Sequence, residues 1–571
     1  MVIENKIEQI ISLKKEGKII ESEKLLRSIL DNQIDDYDKL LSSALLLIKK
    51  KNFNESIIFL KKAIAINPYK TEAYINLANI YIILKEYSKG IEFLNIAYKN
   101  DPLNKDIINN LSYLTVKIND NIKALDLIEK GLELDPSNYF LLNLKGRIYI
   151  DKNLIEEGID FFIKSIEIKR DFWNAYENLF FILESTNNIK LFREYINIAK
   201  NIFFNNQFLN FFEAQLLFRE KKFDTTINFL QEKDLEKKLN DFHNYLILYY
   251  DLLAKCFEKI NNYKSSFHYF ELRNNLRKDQ KENKKFDKNI ILDLISNYNE
   301  YFIEENINKY KISPFNKNNI ISPVFLMGFP RSGTTLLDSI LRSHSCIEVL
   351  EEKPFISKIR DKFFKSNNNL INSLEKLDSQ QILSIQTEYL DLLNIENDFL
   401  LSDKIIIDKF PLNIIEIGFI KRIFPNSKFI ISLRHPCDVI LSCFTSNFKI
   451  NEGMANFYDL ESSAILYNEV FFLFQQYRNI FDIDYFMIKY EDVIKDFKPT
   501  INNLLNFLNL KWEDNLTDFN NTALNRNRIN TPSYSQVIQP LYDSSINRWK
   551  NYKEINNIYP IIEKWIEDFN Y

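Results

Sequence analysis

The sequence lacks the features that mark membrane and secreted proteins. None of its apolar stretches reaches the roughly 18 residues that a membrane-spanning helix needs. Charged residues are scattered through the first residues, MVIENKIEQIISLKKEGK, where a signal peptide would have an uninterrupted apolar core. The sequence therefore predicts a cytoplasmic protein.

Cysteine and surplus positive charge are also scarce. The four cysteines, Cys256, Cys346, Cys437 and Cys443, form no C-x-x-C pair and no dense disulfide pattern, so we expect them to be core thiols. The net charge of −4, without a basic tail, gives no electrostatic reason to expect nucleic-acid binding.

The N-terminal half carries an internal repeat. Pro68, Pro102 and Pro136 are spaced by 34 residues, which is the period of the tetratricopeptide repeat. Small residues, which let paired helices approach closely, recur with the same period in three registers: Ala44, Ala78, Ser112, Gly146; Ser56, Gly90, Ala124, Gly158; and Ala63, Ala97, Gly131, Ser165. Residues 1–275 are therefore predicted to form an all-α solenoid, with more degenerate helix pairs at its end.

Such arrays mostly bind peptides or partner proteins in a groove, so an acceptor protein or peptide held by the solenoid is one interpretation. The other is that the repeats only stack on and stabilise the C-terminal domain. The charged segment Arg277–Lys288 is typical of a solvated helix end or a linker, so we expect the domain boundary near it. We expect a linker and lead-in helix at 276–320 and an α/β domain with a parallel sheet at 321–571.

The α/β domain is predicted from Pro323–Leu337, PVFLMGFPRSGTTLL. An apolar strand, a loop of small residues and a helical run follow one another there. The backbone N–H groups at such a helix start converge with the positive end of the helix dipole, which suits a phosphate-type anion. Thr334 stands where a Walker A loop has its lysine, and Arg331 instead offers a planar fork of donors. A nucleoside triphosphate therefore fits less well than a 5′-phosphate bearing a transferable group.

The segment GFPRSGTTLL resembles the 5′-phosphosulfate loop of sulfotransferases that use 3′-phosphoadenosine 5′-phosphosulfate (PAPS), especially the tyrosylprotein sulfotransferase branch. The resemblance covers roughly Ser322 to Tyr552. It implies a P-loop-like sulfotransferase fold in which the loop holds the 5′ end of PAPS through Pro330, Arg331, Ser332, Gly333, Thr334 and Thr335. It also implies that no metal is required.

The resemblance assigns catalytic roles to two further segments. An acceptor hydroxyl is a poor nucleophile until a base takes its proton, and either Glu351 or Glu352 could be that base. By its match to the family's G-E-E-T segment the base is Glu352, although Leu350 and Lys353 depart from the family's Gly and Thr. Lys409, at the end of a second strand, matches the family's lysine that neutralises charge on the bridging oxygen.

Three segments toward the C-terminus complete the implied nucleotide site. In the resemblance, Arg434 and Ser442 clamp the 3′-phosphate and Tyr490 contacts the nucleotide. Ser533 matches a hydrogen-bond donor to the transition state. Arg548 matches a phosphate contact, with Arg in place of the family's Lys.

The prediction is a helical repeat domain fused to a PAPS-dependent sulfotransferase, with a protein tyrosine as the first choice of acceptor. Saccharide or small-molecule acceptors stay open. A P-loop kinase or NTPase is an alternative that the missing Walker lysine opposes. A catalytically inactive repeat scaffold is another, opposed by the presence of Arg331, Lys409, Arg434 and Ser442.

Overall fold

The computed structural model describes residues 2–18, 21–22, 24–25, 36–310, 322–364, 374, 377–397, 404–520, 522, 541 and 543–571. The chain divides into two compact units, Met1–Glu220 and Lys221–Tyr571. The two units meet between Glu220 and Lys221, whereas the predicted domain boundary lies near residue 275. Residues 221–275 thus belong to the same compact unit as the α/β domain.

The first unit is built from paired helices. They are α1 (Val2–Lys15), α2 (Tyr37–Lys49), α3 (Phe53–Ile66), α4 (Glu72–Ile83), α5 (Tyr87–Asn100), α6 (Lys105–Lys117), α7 (Asn121–Leu134), α8 (Tyr139–Asp151), α9 (Ile155–Ile168), α10 (Trp173–Ser185), α11 (Ile189–Lys200) and α12 (Gln207–Arg219).

The turn inside each helix pair repeats with the period seen in the sequence. A residue with positive φ, which reverses the chain between the two helices, recurs every 34 residues at Lys51, Lys85, Asn119, Asn153 and Asn187. Asparagine adopts this left-handed conformation more readily than most residues with a side chain. The repeat thus continues past Arg170, where the proline pattern stops.

The small residues lie where paired helices cross. Ser56 Oγ donates a hydrogen bond of 3.0 Å to the carbonyl of Ala44, twelve residues earlier. A Cβ added at Gly146 would lie 2.9 Å from the carbonyl oxygen of Gly158. Because such a distance leaves no room for a side chain, the predicted close approach of the paired helices is confirmed.

The second unit begins with helices and continues as an α/β domain. The helices before the sheet are α13 (Phe223–Glu232), α14 (Leu235–Leu239), α15 (His243–Lys259), α16 (Tyr263–Asp279), α17 (Asn289–Tyr301) and α18 (Glu304–Tyr310). The α/β part comprises β1 (Val324–Gly328), α19 (Thr334–Arg342), β2 (Ile347–Glu351), α20 (Phe355–Phe364), α21 (Ser379–Asn397), β3 (Ile405–Lys409), α22 (Ile417–Ile423), β4 (Lys428–Leu433), α23 (Pro436–Thr445), α24 (Leu460–Ile480), β5 (Asp484–Lys489), α25 (Tyr490–Lys495), α26 (Phe497–Phe507) and α27 (Tyr559–Asp568).

The five strands form a parallel sheet in the order β2-β3-β1-β4-β5, which confirms the predicted fold class. The chain passes from β1 to one side of the sheet and then crosses to the other side at β4. In open parallel sheets, ligands bind at the carboxyl ends of the strands where the direction of winding changes. That point lies beside the end of β1.

Alternate residues of β1 face two hydrophobic cores. Phe325 and Met327 belong to the larger core, which also contains Ala254 of α15 and Phe270 of α16. Val324 and Leu326 belong to the smaller core on the other face. Since α15 and α16 are packed into the core of the sheet, they are part of this unit.

Three of the four cysteines are buried as predicted, but Cys346 is exposed. It precedes β2 at a chain reversal, so the prediction that it is a core thiol is wrong. Within the described part of the chain, no helix has both the length and the apolar character needed to cross a membrane.

Candidate active site

The loop after β1 has a backbone that requires glycine at two positions. A Cβ at Gly328 would lie 2.4 Å from the carbonyl oxygen of Ser432, and Gly333 has a φ of +106°. Arg331 also has a positive φ of 70°. These turns bring the chain from β1 directly to the N-terminus of α19 at Thr334, so backbone N–H groups at the helix start face the end of the sheet.

Neighbouring elements hold the loop in place. Ser432 of β4 donates a hydrogen bond of 2.9 Å to the Ser332 carbonyl, and the Cys443 thiol lies 3.3 Å from the Pro330 carbonyl. The Ser332 hydroxyl is buried and has no hydrogen-bond partner among the described residues. A buried hydroxyl left in this way is unfavourable unless a ligand oxygen completes it.

Arg331 connects the loop to the predicted 3′-phosphate pair. Its Nε donates a hydrogen bond of 2.9 Å to Ser442 Oγ on α23. Arg434 Nη1 lies 3.4 Å from the Arg331 carbonyl oxygen. The structure therefore brings Arg331 together with Arg434 and Ser442, which follow it by more than a hundred residues in the sequence.

Arg434 is buried among groups that leave part of its guanidinium unsatisfied. Its Nη2 donates to the Ser545 carbonyl at 2.5 Å, and its guanidinium carbon lies 5.0 Å from the centre of the Tyr490 ring. Its Nε is buried without a hydrogen-bond partner in the described part of the chain. A buried charged donor in this state fits an anionic ligand.

Tyr490 closes the site above the loop. A Cβ at Gly333 would lie 3.0 Å from Tyr490 Cδ2, so the ring packs directly on the loop. The Tyr490 hydroxyl is hydrogen-bonded to Ser545 Oγ at 2.8 Å. The ring is thereby fixed between the loop, Arg434 and residue 545.

Lys409 lies at the carboxyl end of β3 among acidic side chains. Its Nζ is 2.9 Å from Glu352 Oε1, 3.7 Å from Asp338 Oδ2 and 3.8 Å from Glu351 Oε1. Lys409 is fully buried, whereas the Glu352 side chain keeps 31% of its surface exposed. Among the two glutamates, the more exposed Glu352 is thus also the nearer partner of the lysine.

Asp338 is a member of this cluster that the sequence analysis missed. It lies on α19 and accepts a hydrogen bond of 3.0 Å from Arg342 Nε, four residues later. In the sequence the two residues look like an ordinary helical ion pair. Only the fold shows that the same carboxylate faces Lys409.

Arg548 lies beside α23 but is engaged by other side chains. Its Nε donates to Glu258 of α15, and its Nη1 lies 3.2 Å from Thr445 Oγ1. The turn that carries it is fixed to α23, because Asp438 accepts hydrogen bonds from the backbone N–H groups of Asn547 and Trp549. A phosphate contact by Arg548 stays a prediction. Ser533 lies outside the described residues.

The two histidines near the site have structural environments. The His435 ring stacks on Trp549 with a centroid distance of 5.0 Å, and burial together with nearby Lys550 and Arg434 lowers its pKa to about 4. His344 accepts from the Cys346 N–H through Nδ1, so its Nε2–H donates to the Lys511 carbonyl. Both side chains therefore act in packing and hydrogen bonding within the fold.

Comparison with known proteins identifies the two parts of the chain. Residues 323–514 match the sulfotransferase family, and residues 40–70, 71–102 and 141–172 match the tetratricopeptide repeat. The chain thus carries a sulfotransferase-family domain preceded by tetratricopeptide repeats, and the predicted resemblance is confirmed.

Two relatives align with less than half of the chain. An uncharacterized protein of Aquifex aeolicus (strain VF5) is 29% identical over 256 residues, which are 43% of this chain and 32% of that protein. Protein-tyrosine sulfotransferase 2 of Gallus gallus is 22% identical over 237 residues, which are 40% of this chain and 62% of that protein. The chain therefore spans about a third of the Aquifex aeolicus protein and under two thirds of the Gallus gallus protein.

Solved structures similar to the chain are repeat proteins. The tetratricopeptide protein YrrB covers 31% of this chain and 92% of its own, at 18% identity and a TM-score of 0.26. A tetratricopeptide repeat protein from Parabacteroides merdae ATCC 43184 covers 44% of this chain and 96% of its own, at 16% identity and a TM-score of 0.35.

Proposed function

We propose that this sulfotransferase-family domain moves the sulfuryl group of PAPS to a hydroxyl acceptor. The observation that carries the proposal is the convergence of Arg331, Arg434 and Ser442 beside a loop that has no Walker lysine. This arrangement supplies two guanidinium groups and a hydroxyl for a nucleotide with phosphates at both its 3′ and 5′ positions.

Unsatisfied buried donors support a doubly charged ligand. Ser332 Oγ in the loop and Arg434 Nε both lack a hydrogen-bond partner within the described residues. A 5′-phosphosulfate on the loop would satisfy the first group, and a 3′-phosphate would satisfy the second. Both contacts would offset the cost of burying these donors.

In the proposed reaction, Glu352 removes the proton of the acceptor hydroxyl as its oxygen forms a bond to sulfur. The bond between sulfur and the bridging oxygen of PAPS breaks, and the electron pair stays on the departing adenosine 3′,5′-bisphosphate (PAP). Lys409 and Arg331 stabilise the charge that develops on this oxygen and on the sulfuryl group. Ser533 is the further donor that the family resemblance assigns to the transition state.

The acceptor we propose is a tyrosine in a protein. The distant similarity to protein-tyrosine sulfotransferase 2 supports this choice, and the repeats support a protein partner because tetratricopeptide arrays commonly bind peptides. Saccharide and small-molecule hydroxyls are the alternatives.

Two measurements test the donor and the acceptor separately. PAP should raise the melting temperature of the protein in a concentration-dependent way, whereas ATP with Mg²⁺ should not. Stabilisation by ATP alone would favour a kinase or NTPase.

The acceptor is tested with radiolabelled PAPS. Label should enter peptides that contain tyrosine and should not enter the same peptides with phenylalanine in its place. Label found only in saccharides would reject the tyrosine acceptor. Absence of transfer to any acceptor despite PAP binding would favour an inactive scaffold.

A further inference from the structure

Helix α16 contacts the end of the helix that carries Ser442. Arg273 on α16 is fully buried, and its guanidinium donates to the carbonyl oxygens of Phe444 and Thr445 at 2.7 and 2.9 Å. These carbonyls belong to the last turn of α23, where the helix has no N–H groups of its own to satisfy them. A cation at this end also interacts favourably with the helix dipole.

The adjacent residue strengthens the same contact. Asn274 Nδ2 donates to the Phe444 carbonyl and to the Tyr458 carbonyl, each at 3.1 Å. Its side-chain oxygen in turn accepts from Arg273 Nε at 3.0 Å. The two side chains therefore form one rigid group against the C-terminal end of α23.

The charge of Arg273 is compensated inside the helix pair. Asp251 of α15 lies 2.5 Å from Arg273 Nη1, and Lys255 is the second partner of Asp251. Packing adds to the polar contacts, because the Phe267 ring of α16 stacks on Phe444 with a centroid distance of 4.9 Å. The helix pair is thus fitted to α23 by charge, hydrogen bonds and shape.

Helix α23 fixes both members of the candidate 3′-phosphate pair. Arg434 lies two residues before its first residue, Pro436, and Ser442 lies in its last turns. The N-terminal end of α23 is held by Glu491, which accepts from the His435 N–H at 2.9 Å. The C-terminal end is held by Arg273 and Asn274, so both anchors contribute to the placement of Arg434 and Ser442.

We infer that Arg273 and Asn274 are positioning residues for 3′-phosphate recognition, which makes α16 a structural part of the nucleotide site. This inference rests on the proposed use of PAPS. The polar contacts of both side chains with α23 are made to the carbonyls of Phe444 and Thr445, so each acts on the site through the backbone of this helix.

The test compares two ligands that differ only in the 3′-phosphate, PAP and adenosine 5′-monophosphate (AMP), by calorimetric titration of the full-length protein. Arg273→Lys keeps the charge but loses the fork, so PAP affinity should fall about tenfold while AMP affinity changes less than about twofold. Asn274→Ala should shift the ratio in the same direction and serves where the first variant fails to fold.

Two controls separate positioning from general destabilisation. Gly418→Ala places a Cβ 2.4 Å from the ring of Phe302, which belongs to the larger hydrophobic core of the second unit. It should lower the melting temperature and keep the ratio of PAP affinity to AMP affinity. Lys278→Ala, on the exposed face of α16, should change neither property.

An unchanged ratio of PAP affinity to AMP affinity in Arg273→Lys or in Asn274→Ala would overturn the inference. An equal loss of affinity for both ligands is one such result. The proposed function fails in a different way: the unsubstituted protein would then show no preference for PAP over AMP.

Discussion

Lys409 and Glu352 are connected through their side chains and through their backbones. Lys409 Nζ lies 2.9 Å from Glu352 Oε1, and the Glu352 N–H donates a hydrogen bond of 2.8 Å to the Lys409 carbonyl. Glu352 has a φ of +46°, which a residue with a side chain adopts at a cost. The fold therefore holds this carboxylate in a strained conformation directly against the only fully buried lysine within the described candidate site.

The role of Glu352 can be tested with Glu352→Gln. Glutamine keeps the shape of the side chain but accepts no proton, so turnover should fall about 100-fold or more. PAP affinity should stay close to that of the unsubstituted protein, because Glu352 is not among the predicted nucleotide contacts. Steady-state rates with PAPS and calorimetric titration with PAP provide the two readouts.

Glu351→Gln is the matched control, because Glu351 lies 3.8 Å from Lys409 and is less exposed. It should reduce turnover much less. The reverse order of effects would identify Glu351 as the base, and near-normal rates in both variants would remove the pair from the mechanism.

Arg434→Ala tests whether the buried guanidinium reads the 3′-phosphate. Loss of a charge-assisted hydrogen bond should weaken PAP binding by about 1.5–3 kcal/mol. AMP, which lacks the 3′-phosphate, should lose much less. Arg478→Ala is a suitable control, because this arginine packs on the Tyr485 ring outside the site; it should alter neither affinity. Equal losses for PAP and AMP in Arg434→Ala would speak against 3′-phosphate recognition.

The sequence was sufficient to predict the repeats and the parallel sheet because both depend on local signals. Small residues every 34 positions mark helix crossings such as that of Gly146 and Gly158, and strand-loop-helix order marks β1 and α19. The proximity of the loop and Arg434 was predictable, since each follows a strand whose carboxyl end lies at the same edge of the sheet. Their roles, and that of Ser442, stay predictions.

Contacts between distant segments were not predictable. Asp338 looks like the partner of Arg342 alone, and nothing in the local sequence shows that it faces Lys409. The contact made by Arg273 was not predictable either, because in the sequence this residue looks like a surface charge on an amphipathic helix. Only the fold shows that it satisfies carbonyls of α23.

Gly333→Ala should disturb the loop more than the same change at Gly453. An added Cβ lies 3.0 Å from its nearest neighbour in both cases, which is a Tyr490 ring atom at Gly333 and a Leu412 methyl carbon at Gly453. Of these two glycines, only Gly333 has a positive φ, so alanine there also costs about 1–3 kcal/mol in backbone strain. Urea unfolding should show the larger stability loss for Gly333→Ala, together with weaker PAP binding. Similar losses in both variants would show that the loop relaxes to accept a side chain.

Shortened chains can test recruitment by the repeats. A chain starting at Lys221 keeps the second unit whole, so it should bind PAP normally but turn over a protein acceptor more slowly if the repeats hold that acceptor. A chain starting at Asn289 lacks Ala254 and Phe270 from the large core and should fold poorly. Melting curves, PAP titration and rates with the acceptor distinguish these cases. Unchanged turnover in the chain that starts at Lys221 would indicate that the repeats have only a structural role.

The pH dependence of stability should report on Asp408, which is fully buried in β3. Tyr389 donates a hydrogen bond of 2.8 Å to its carboxylate, and burial raises the pKa of Asp408 to about 7. In the unfolded chain an aspartate has a pKa of about 3.9, so between these two values the folded state binds more protons than the unfolded state. The free energy of unfolding contributed by Asp408 must therefore fall as the pH rises from about 4 to about 7, and it stays constant above that window.

Asp408→Asn should remove this dependence, because asparagine still accepts the Tyr389 hydrogen bond and does not ionise. The stability gained by the substitution should therefore be larger at pH 8 than at pH 5, as measured by urea unfolding at both values. Asp518→Asn, at an exposed position, should leave the difference between the two pH values unchanged. If Asp408→Asn gave the same stability change at both pH values, Asp408 would not titrate between them, and its carboxyl group would have to be stabilised in one protonation state by its surroundings.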